Sequence, residues 1–128
     1  MGCHPFARSL VMLVYSTSSD AIDWVALKSD LARDRFDNGR TPDQMARSFR
    51  ASFRCAYARD GPRFVGTARA LSDGVCNAYV LDMWTHSAYR RRGIGRRLLE
   101  LLCEALVGQQ SGTPSLISAG AAMTAQMM

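Results

Sequence analysis

The segment "YRRRGIGRRLLELLCEAL", residues 89–106, constrains the fold of this chain more than any other part of it. Just before it lies an apolar stretch, "VCNAYVLDMWT", interrupted only by Asn77 and Asp82 and therefore typical of a buried strand. Just after two closely spaced glycines, apolar side chains recur at the spacing of one helix face: Ile94, Leu98, Leu101, Leu102 and Ala105. The sequence predicts a strand, a glycine turn and an amphipathic helix in succession, with the strand central in its sheet.

The positive charge of the chain is concentrated in this same segment. The full sequence has 16 basic and 11 acidic side chains, a net charge of +5. Five arginines around the two glycines equal this excess: Arg90, Arg91, Arg92, Arg96 and Arg97. A protein that binds nucleic acid usually spreads its basic residues over a face that contacts many phosphates. A single basic cluster instead favours one compact polyanion, and nucleic-acid binding stays as a weaker alternative.

The start of a helix is chemically suited to such an anion. Its first backbone N–H groups have no partner within the helix, and the helix dipole adds a partial positive charge there. Gly93 and Gly95 permit a close approach of the backbone, and arginine supplies planar donors that match phosphate oxygens. The segment is neither a Walker loop, since it lacks Gly-Lys-Ser/Thr, nor a dinucleotide fingerprint, since Leu98 replaces the third glycine. The alternative is an ordinary turn into a helix, with Arg96 and Arg97 simply solvated.

Length and composition indicate one globular domain. A chain of 128 residues with 48% hydrophobic and 21% charged residues can bury one core. The early apolar run "LVMLV", residues 10–14, is too short to cross a bilayer and is not followed by a small-residue cleavage site. Four scattered cysteines and two histidines form no pattern typical of a metal site or a disulfide framework. We therefore expect a cytoplasmic protein without a metal ion.

Ahead of the basic segment, the sequence predicts one strand and two helices. The strand is "SLVMLVYS", residues 9–16. Asp20 can cap the first helix, and the apolar side of that helix is expected to comprise Ile22, Trp24, Val25 and Leu31. The second helix begins in "RTPDQMARSF", where Thr41 can act as the cap and Gln44 can complete a capping box. Met45 and Phe49, four residues apart, should face the core.

Two further strands separate these helices from the apolar strand. Phe53, Cys55 and Tyr57 alternate with arginines up to a turn at Asp60-Gly61, and "RFVGTARAL" follows that turn. A second turn is expected at Asp73-Gly74, because both residues tolerate positive φ. The predicted element order is β-α-α-β-β-β-α, which is a mixed α/β (α+β) fold with a mainly antiparallel sheet flanked by helices.

The basic segment resembles the R/Q-x-x-G-x-G/A pyrophosphate-binding motif of the GNAT superfamily of N-acetyltransferases. Arg90, Arg91, Arg92, Gly93, Ile94 and Gly95 fill that motif in order. The resemblance covers residues 9–107 and includes the element order. It implies an acetyl-CoA-dependent enzyme that transfers an acetyl group directly to an amine of a small molecule or protein, with no covalent enzyme intermediate.

The resemblance also implies how the co-substrate is held. The motif residues, together with Arg96, would bind the pyrophosphate of acetyl-CoA. Backbone groups of Met83, Trp84 and Thr85 would pair with the pantetheine arm. Cys103, inside the motif helix, is then a packing residue and not a nucleophile.

Asp82 is the candidate catalytic residue, as a general base that takes a proton from the incoming ammonium. The alternative is a structural partner for an arginine. Asn77 and Tyr79 alternate along the same strand and can line the acceptor cleft, although core packing explains Tyr79 equally well. Trp24 and Trp84 are expected to be core residues.

The last segment, residues 108–128, differs from the resemblance. "GQQSGTPSLISAGAAMTAQMM" has no charged and no aromatic residue, so it offers neither the further strands nor the general-acid tyrosine that the family implies. We therefore expect a domain at residues 9–107, followed by a disordered or non-native tail in a truncated or frame-altered chain. The alternative function is a catalytically impaired acyl-CoA-binding module. An unpaired sheet edge also predicts a homodimer or aggregation.

Overall fold

The computed structural model describes residues 12–75 and 77–109. Its strands and helices occur in the predicted order. They are β1 (Leu13–Ser16), α1 (Trp24–Arg33), α2 (Pro42–Arg50), β2 (Arg54–Asp60), β3 (Arg63–Ser72), β4 (Ala78–Thr85), a short 3-10 turn (Ser87–Tyr89) and α3 (Ile94–Gln109). Residues 9–11 of the predicted first strand, Cys76 and most of the predicted tail lie outside the described residues.

The four strands form one antiparallel sheet in the order β1-β2-β3-β4. This architecture, a sheet flanked by helices, confirms the predicted mixed α/β class. The prediction that β4 lies in the centre of the sheet is wrong for the described part of the chain, where β4 pairs only with β3 and forms an edge. Its apolar residues are buried by helices on the two faces of the sheet, so a strand at the edge carries the pattern expected of a central one. Association through this edge stays a prediction.

Helix α1 begins three residues later than expected. Its cap is Asp23, whose side chain accepts a hydrogen bond from the Ala26 backbone N–H at 3.0 Å. Asp20 lies too far ahead of the first turn to play that part. The buried face of the helix carries Leu27 and Leu31, whereas Val25 is 67% exposed, so its predicted place in the apolar side is wrong.

Helix α2 is capped as predicted. The Thr41 hydroxyl accepts a hydrogen bond from the Gln44 backbone N–H at 3.1 Å, and the Gln44 side chain accepts one from the Thr41 N–H at 2.9 Å. This reciprocal pair satisfies two donors that the helix leaves free. Met45 and Phe49 are buried, as their spacing predicts.

The two faces of the sheet bury different kinds of side chain. The face covered by α3 carries small and aliphatic residues: Ala56, Ala58, Val65, Ala68, Ala70, Val80, Met83, Ile94, Leu98 and Leu102. The face covered by α1 and α2 carries the aromatic cluster: Leu27, Leu31, Met45, Phe49, Cys55, Tyr57, Phe64 and Trp84. Trp84 is a core residue, as predicted, and Trp24 packs against the edge of the same cluster.

A bulge interrupts β4 before it reaches the basic segment. Leu81 pairs with Arg69 and Trp84 pairs with Thr67, so Asp82 and Met83 together lie opposite the single residue Ala68. The extra residue turns Met83 towards the α3 face and Asp82 towards the aromatic face. No helix within residues 12–75 and 77–109 is long and apolar enough to cross a membrane.

Candidate functional site

A cavity of about 270 Å³ lies at the beginning of α3. It is bounded by the end of β4 on one side and by the arginine-glycine segment on the other. The residues that line it are Thr85, Arg90, Arg91, Gly93, Ile94, Gly95 and Arg96. Seven residues that the sequence analysis assigned to co-substrate binding thus share one cavity.

Backbone conformation at the start of α3 opens donors towards this cavity. Gly93 has a φ of 80°, and the first intrahelical bond joins the Arg97 N–H to the Gly93 carbonyl at 3.0 Å. Gly93 is therefore the cap, and the N–H groups between these two residues have no partner in the helix. Arg91 has a φ of 66°, which is strained for a residue with a side chain. A tight backbone and unpaired donors together suit a ligand with several negative oxygens.

The segment is held in place by side chains on both sides of it. Arg90 donates from Nε to the Thr85 carbonyl at 3.2 Å, which ties the loop to the end of β4. Tyr89 is buried, and its hydroxyl donates to the Asp60 carboxylate at the end of β2. The support that Tyr89 and Asp60 provide was not predicted from the sequence, because these residues are 29 positions apart and only the fold brings them together.

Three predicted binding residues do not line the cavity. The Arg92 guanidinium lies over the Tyr89 ring, 5.2 Å from its centroid. Met83 and Trp84 have buried side chains in the two cores. Any contribution of Met83 and Trp84 to binding must come from their backbone, which is the role that the resemblance implies.

Gly66 on β3 lets α3 lie close to the sheet beside the cavity. A Cβ atom at this position would lie 3.0 Å from Ile94 Cγ2 and 3.0 Å from Leu98 Cδ1. Such separations are shorter than normal contact distances, so a larger residue here would require the side chains of Ile94 and Leu98 to move by a few tenths of an ångström. Gly66 lies in a strand that the sequence predicts, but its packing role was not predicted.

The candidate general base, Asp82, is engaged in two ion pairs. Arg40 donates from Nη2 to Oδ1 at 3.0 Å and from Nη1 to Oδ2 at 3.2 Å. Arg69 donates from Nε to Oδ2 at 2.5 Å. Both carboxylate oxygens are therefore occupied, which is the geometry of the structural alternative. The general-base role stays a prediction.

A second carboxylate, Asp34, joins the end of α1 to the end of β4. Its Oδ2 accepts hydrogen bonds from Trp84 Nε1 at 2.9 Å and from the Ser87 N–H at 3.0 Å, and its Oδ1 accepts one from the Ser87 hydroxyl at 2.5 Å. Partial burial would raise the pKa of Asp34, but the hydrogen bonds from Ser87 and Trp84 outweigh it and lower the pKa below its usual value. Asp34 is thus an anionic anchor beside the site.

The predicted acceptor-side residues Asn77 and Tyr79 line a different cavity. It is open, about 390 Å³ in volume, and lies at the β3–β4 hairpin. This hairpin is at the opposite end of β4 from Thr85. Tyr79 is 40% exposed, so the alternative that it packs in the core is wrong.

The remaining basic and sulfur groups of α3 have distinct surroundings. Arg97 Nη1 pairs with Glu104 at 3.2 Å and Glu100 at 3.4 Å, on the helix surface, whereas Arg96 lines the cavity. Burial raises the pKa of the Cys103 thiol, and the two glutamates add to this effect, which suits packing better than nucleophilic attack. Within the described residues, no cluster of His, Cys, Asp and Glu side chains could hold a metal ion.

The sequence profile of the Acetyltransferase (GNAT) family matches residues 22–124. The chain belongs to this family. By family it is an N-acetyltransferase, and the predicted resemblance is confirmed. The match runs past residue 107 and so does not separate the predicted tail from the domain; that boundary stays a prediction. No curated protein matches the chain.

Three solved structures illustrate the fold that this chain shares. A protein of unknown function from meticillin-resistant Staphylococcus aureus has a TM-score of 0.67 at 12% identity, over 82% of this chain and 77% of that chain. A GNAT family acetyltransferase from Streptococcus pneumoniae has a TM-score of 0.55 at 21% identity, over 84% and 70% of the two chains. An aminoglycoside 6'-N-acetyltransferase complexed with coenzyme A has a TM-score of 0.63 at 17% identity, over 75% and 56%. At these identities the likeness concerns the fold.

Proposed function

We propose that this protein transfers the acetyl group of acetyl-CoA directly to an amine of a small molecule or a protein. One observation carries the proposal. The arginine-glycine segment, the unpaired N–H groups of α3 and the end of β4 converge on one cavity, and five of its lining residues belong to the predicted pyrophosphate motif. The protein would act in the cytoplasm, where its scattered cysteines would stay reduced.

The co-substrate would be held at two places. The pyrophosphate would lie against the α3 N–H groups, with Arg90, Arg91 and Arg96 supplying charge-assisted hydrogen bonds to its oxygens. The pantetheine arm would run along the backbone of Met83–Thr85. This arrangement directs the thioester towards the β4 bulge, because β4 leads from the bulge to the cavity.

Chemistry would then depend on positioning. A neutral amine attacks the thioester carbonyl, a C–N bond forms, and the C–S bond breaks as the coenzyme A thiolate leaves. The attacking nitrogen loses one proton and the thiolate takes up one, so the products are an amide and coenzyme A. A backbone N–H of β4 aimed at the carbonyl oxygen would stabilise the developing negative charge. Alignment of the two substrates would supply a large part of the rate enhancement.

The proposal leaves the acceptor as an amine of unspecified class. Two solved neighbours are aminoglycoside acetyltransferases, one from an uncultured soil metagenomic sample, at 17% and 18% identity. Aminoglycosides therefore belong in the test panel, beside polyamines, amino acids and lysine-containing peptides.

A second candidate is an acyl-CoA-binding module with little or no turnover. It is favoured by the engagement of Asp82 with Arg40 and Arg69, whose three hydrogen bonds take up most of the acceptor capacity of this predicted base. The cavity beside α3 would still bind acyl-CoA.

The test combines calorimetric titration of the full chain with coenzyme A and a thiol-release assay with acetyl-CoA over the amine panel. Binding together with a mass-confirmed acetylated product supports the enzyme. Binding without any acetylated product supports the module. Absence of binding overturns both proposals and the assignment of the cavity.

A further inference from the structure

Asp82 holds an unusual backbone conformation at the centre of the β4 bulge. Its φ is 51°, in the left-handed region. Glycine usually occupies this place in a bulge, because a Cβ atom is strained there; aspartate and asparagine tolerate it better than other residues. The Asp82 carbonyl is also fixed, since it accepts a hydrogen bond from the Thr67 hydroxyl at 2.9 Å.

Two arginines hold the Asp82 side chain from different elements. Arg40 comes from the loop between α1 and α2 and binds the carboxylate through two nitrogens. Arg69 comes from β3, and its Nη1 also donates to Ser52 Oγ at 3.2 Å. The Arg40–Asp82–Arg69 network therefore joins three separate segments: the α1–α2 loop, β3 and the β4 bulge.

The network is nearly enclosed. The exposed fraction of the side chain is 16% for Arg40, 14% for Arg69 and 8% for Asp82. Phe49 lies beneath both guanidinium groups, with its ring centroid 5.9 Å from Arg40 and 5.7 Å from Arg69. Buried ion pairs are weak contributors to stability because desolvation offsets their attraction, and their best-attested role is to fix one register or arrangement.

The arrangement that this network fixes leads directly to the candidate site. Met83, Trp84 and Thr85 follow Asp82 along β4. Thr85 lines the cavity, and its carbonyl accepts a hydrogen bond from Arg90. A change of φ at Asp82 would rotate the peptide groups of this stretch. The arginine-glycine segment, in contrast, has its own support from Tyr89 and Asp60.

We propose that the Arg40–Asp82–Arg69 network positions the backbone of Met83–Thr85 for acyl transfer, with Arg40, Asp82 and Arg69 as positioning residues. This inference rests on the proposed function. It replaces the general-base role of Asp82 with an indirect one, because guanidinium groups occupy both carboxylate oxygens and cannot themselves accept a proton. Through Arg40, the α1–α2 loop also contributes to positioning this backbone.

Two variants probe the network, and a third serves as control. Asp82→Asn keeps the shape and the tolerance of positive φ but removes the charge that both arginines bind. Arg40→Lys keeps the charge but loses the two-nitrogen contact. Lys28→Gln is the matched control, because Lys28 on α1 pairs with Asp37 of the α1–α2 loop, whereas Arg40 of that loop pairs with Asp82.

Three measurements are made on each variant. They are kcat with the best amine, the affinity for coenzyme A by calorimetry, and the carbonyl stretching frequency of bound acetyl-CoA labelled with carbon-13 at the acetyl group. We expect Asp82→Asn to lower kcat by about 10²-fold, the usual effect of misplacing a reacting group by about 1 Å. Arg40→Lys should lower it by a smaller factor. Both should return the carbonyl frequency towards its value in water. Both should weaken coenzyme A binding far less than they lower kcat, because the arginine-glycine segment still holds the pyrophosphate. Lys28→Gln should match the wild type.

Several outcomes would overturn the inference. If Asp82→Asn keeps the wild-type kcat and carbonyl frequency, the network positions nothing. If it loses kcat while its carbonyl frequency and the Arg40→Lys variant stay normal, Asp82 is the general base. If coenzyme A affinity falls by as large a factor as kcat in both variants, the role is structural. A wild-type protein that acetylates no amine contradicts the proposed function, and the carbonyl frequency then still decides whether the network orients the thioester.

Discussion

The two faces of the sheet support the candidate site in different ways. On the α3 face, alanines and Gly66 let one helix lie close to the strands, and the groups offered to a ligand are backbone donors and exposed arginines at its end. On the opposite face, aromatic side chains fill the core and buried ion pairs cross between elements. The buried polar side chains Asp30, Thr67 and Asp82 all belong to this aromatic side.

This difference suggests that the two faces of the sheet have separate functions. The α3 face would bind the co-substrate through main-chain geometry, which depends on glycine and close packing. The aromatic face would set the position of β4 through side chains, which depends on matched charges. Substitutions on the two faces should therefore affect different measurements.

The largest expected effect is loss of co-substrate binding in Gly93→Glu. The new residue must adopt a φ of 80° and brings a negative charge to a cavity proposed to hold pyrophosphate. We expect the dissociation constant for coenzyme A to rise by about 100-fold or more, since strain and charge repulsion add. Calorimetric titration measures it.

Gly61→Glu is the matched control for this prediction. Gly61 also has a positive φ, 62°, with no atom within 4 Å of a Cβ placed on it, but it lies in the β2–β3 turn outside the cavity. It should cost similar strain and leave the affinity unchanged. Equal affinities of Gly93→Glu and the wild type would contradict the location of the site.

The arginine-glycine segment could be predicted from the sequence because its signal is contiguous. One stretch of eight residues, 90–97, carries the excess charge, the two glycines and the helix start, and local rules about helix ends then apply directly. The capping box of α2 was predictable for the same reason. The Arg40–Asp82–Arg69 network could not be predicted, because Arg40 and Arg69 lie 42 and 13 residues from Asp82 in the sequence. Only the pairing of β3 with β4 and the return of the α1–α2 loop bring them together.

The position of β4 in the sheet and the buried face of α1 were also hard to predict from the sequence. The apolar residues of β4 suggested a central strand, yet helices on two sides bury it at the edge of the described sheet. Val25 has the right spacing for a core residue but faces solvent, because Leu27 and Leu31 turn the other side of α1 inward. Hydrophobicity alone predicts burial, not the partner that provides it.

A smaller effect is expected from Gly66→Ala, which tests whether close packing on the α3 face supports the site. The added methyl group would meet Ile94 and Leu98 at 3.0 Å. We expect a loss of about 1–3 kcal/mol in the free energy of unfolding, as in other overpacked cores. Denaturant titration measures this loss. Coenzyme A affinity should fall as well, because Ile94 lines the cavity; a stability loss without any affinity change would separate packing from binding.

On the aromatic side, Asp34→Asn should give a pH-dependent loss of stability. The pKa of Asp34 is lower in the folded protein than its usual 3.8, so the carboxylate contributes stability above that pH, and the contribution is lost as the pH falls through the folded pKa. At pH 7 we expect the variant to be less stable by about 1.5 kcal/mol, because an amide replaces a charged acceptor. The difference from the wild type should shrink progressively below pH 3.8.

Asp43→Asn is the control for that pH dependence. Asp43 is exposed and pairs with Arg47 at 3.5 Å along the surface of α2. Exposed pairs of this kind contribute about 0.5 kcal/mol or less. Thermal unfolding of the two variants over a series of pH values makes the comparison. Parallel pH profiles of Asp34→Asn and the wild type would show that Asp34 is not the anchor inferred from its hydrogen bonds.

The smallest expected effect separates two neighbouring arginines of the segment. Arg91 lines the cavity, whereas Arg92 lies over the Tyr89 ring. Arg91→Met should therefore weaken coenzyme A binding by roughly fivefold, equivalent to about 1 kcal/mol for one exposed charge-assisted hydrogen bond. Arg92→Met should leave the affinity nearly unchanged and instead lower the free energy of unfolding by about 0.5–1 kcal/mol, the usual contribution of an exposed cation–π contact. Both variants lose the same charge, so any difference in affinity reflects where each guanidinium lies. Equal losses of affinity would mean that the segment attracts the ligand by net charge alone, and the distinction between cavity-lining and supporting arginines would be wrong.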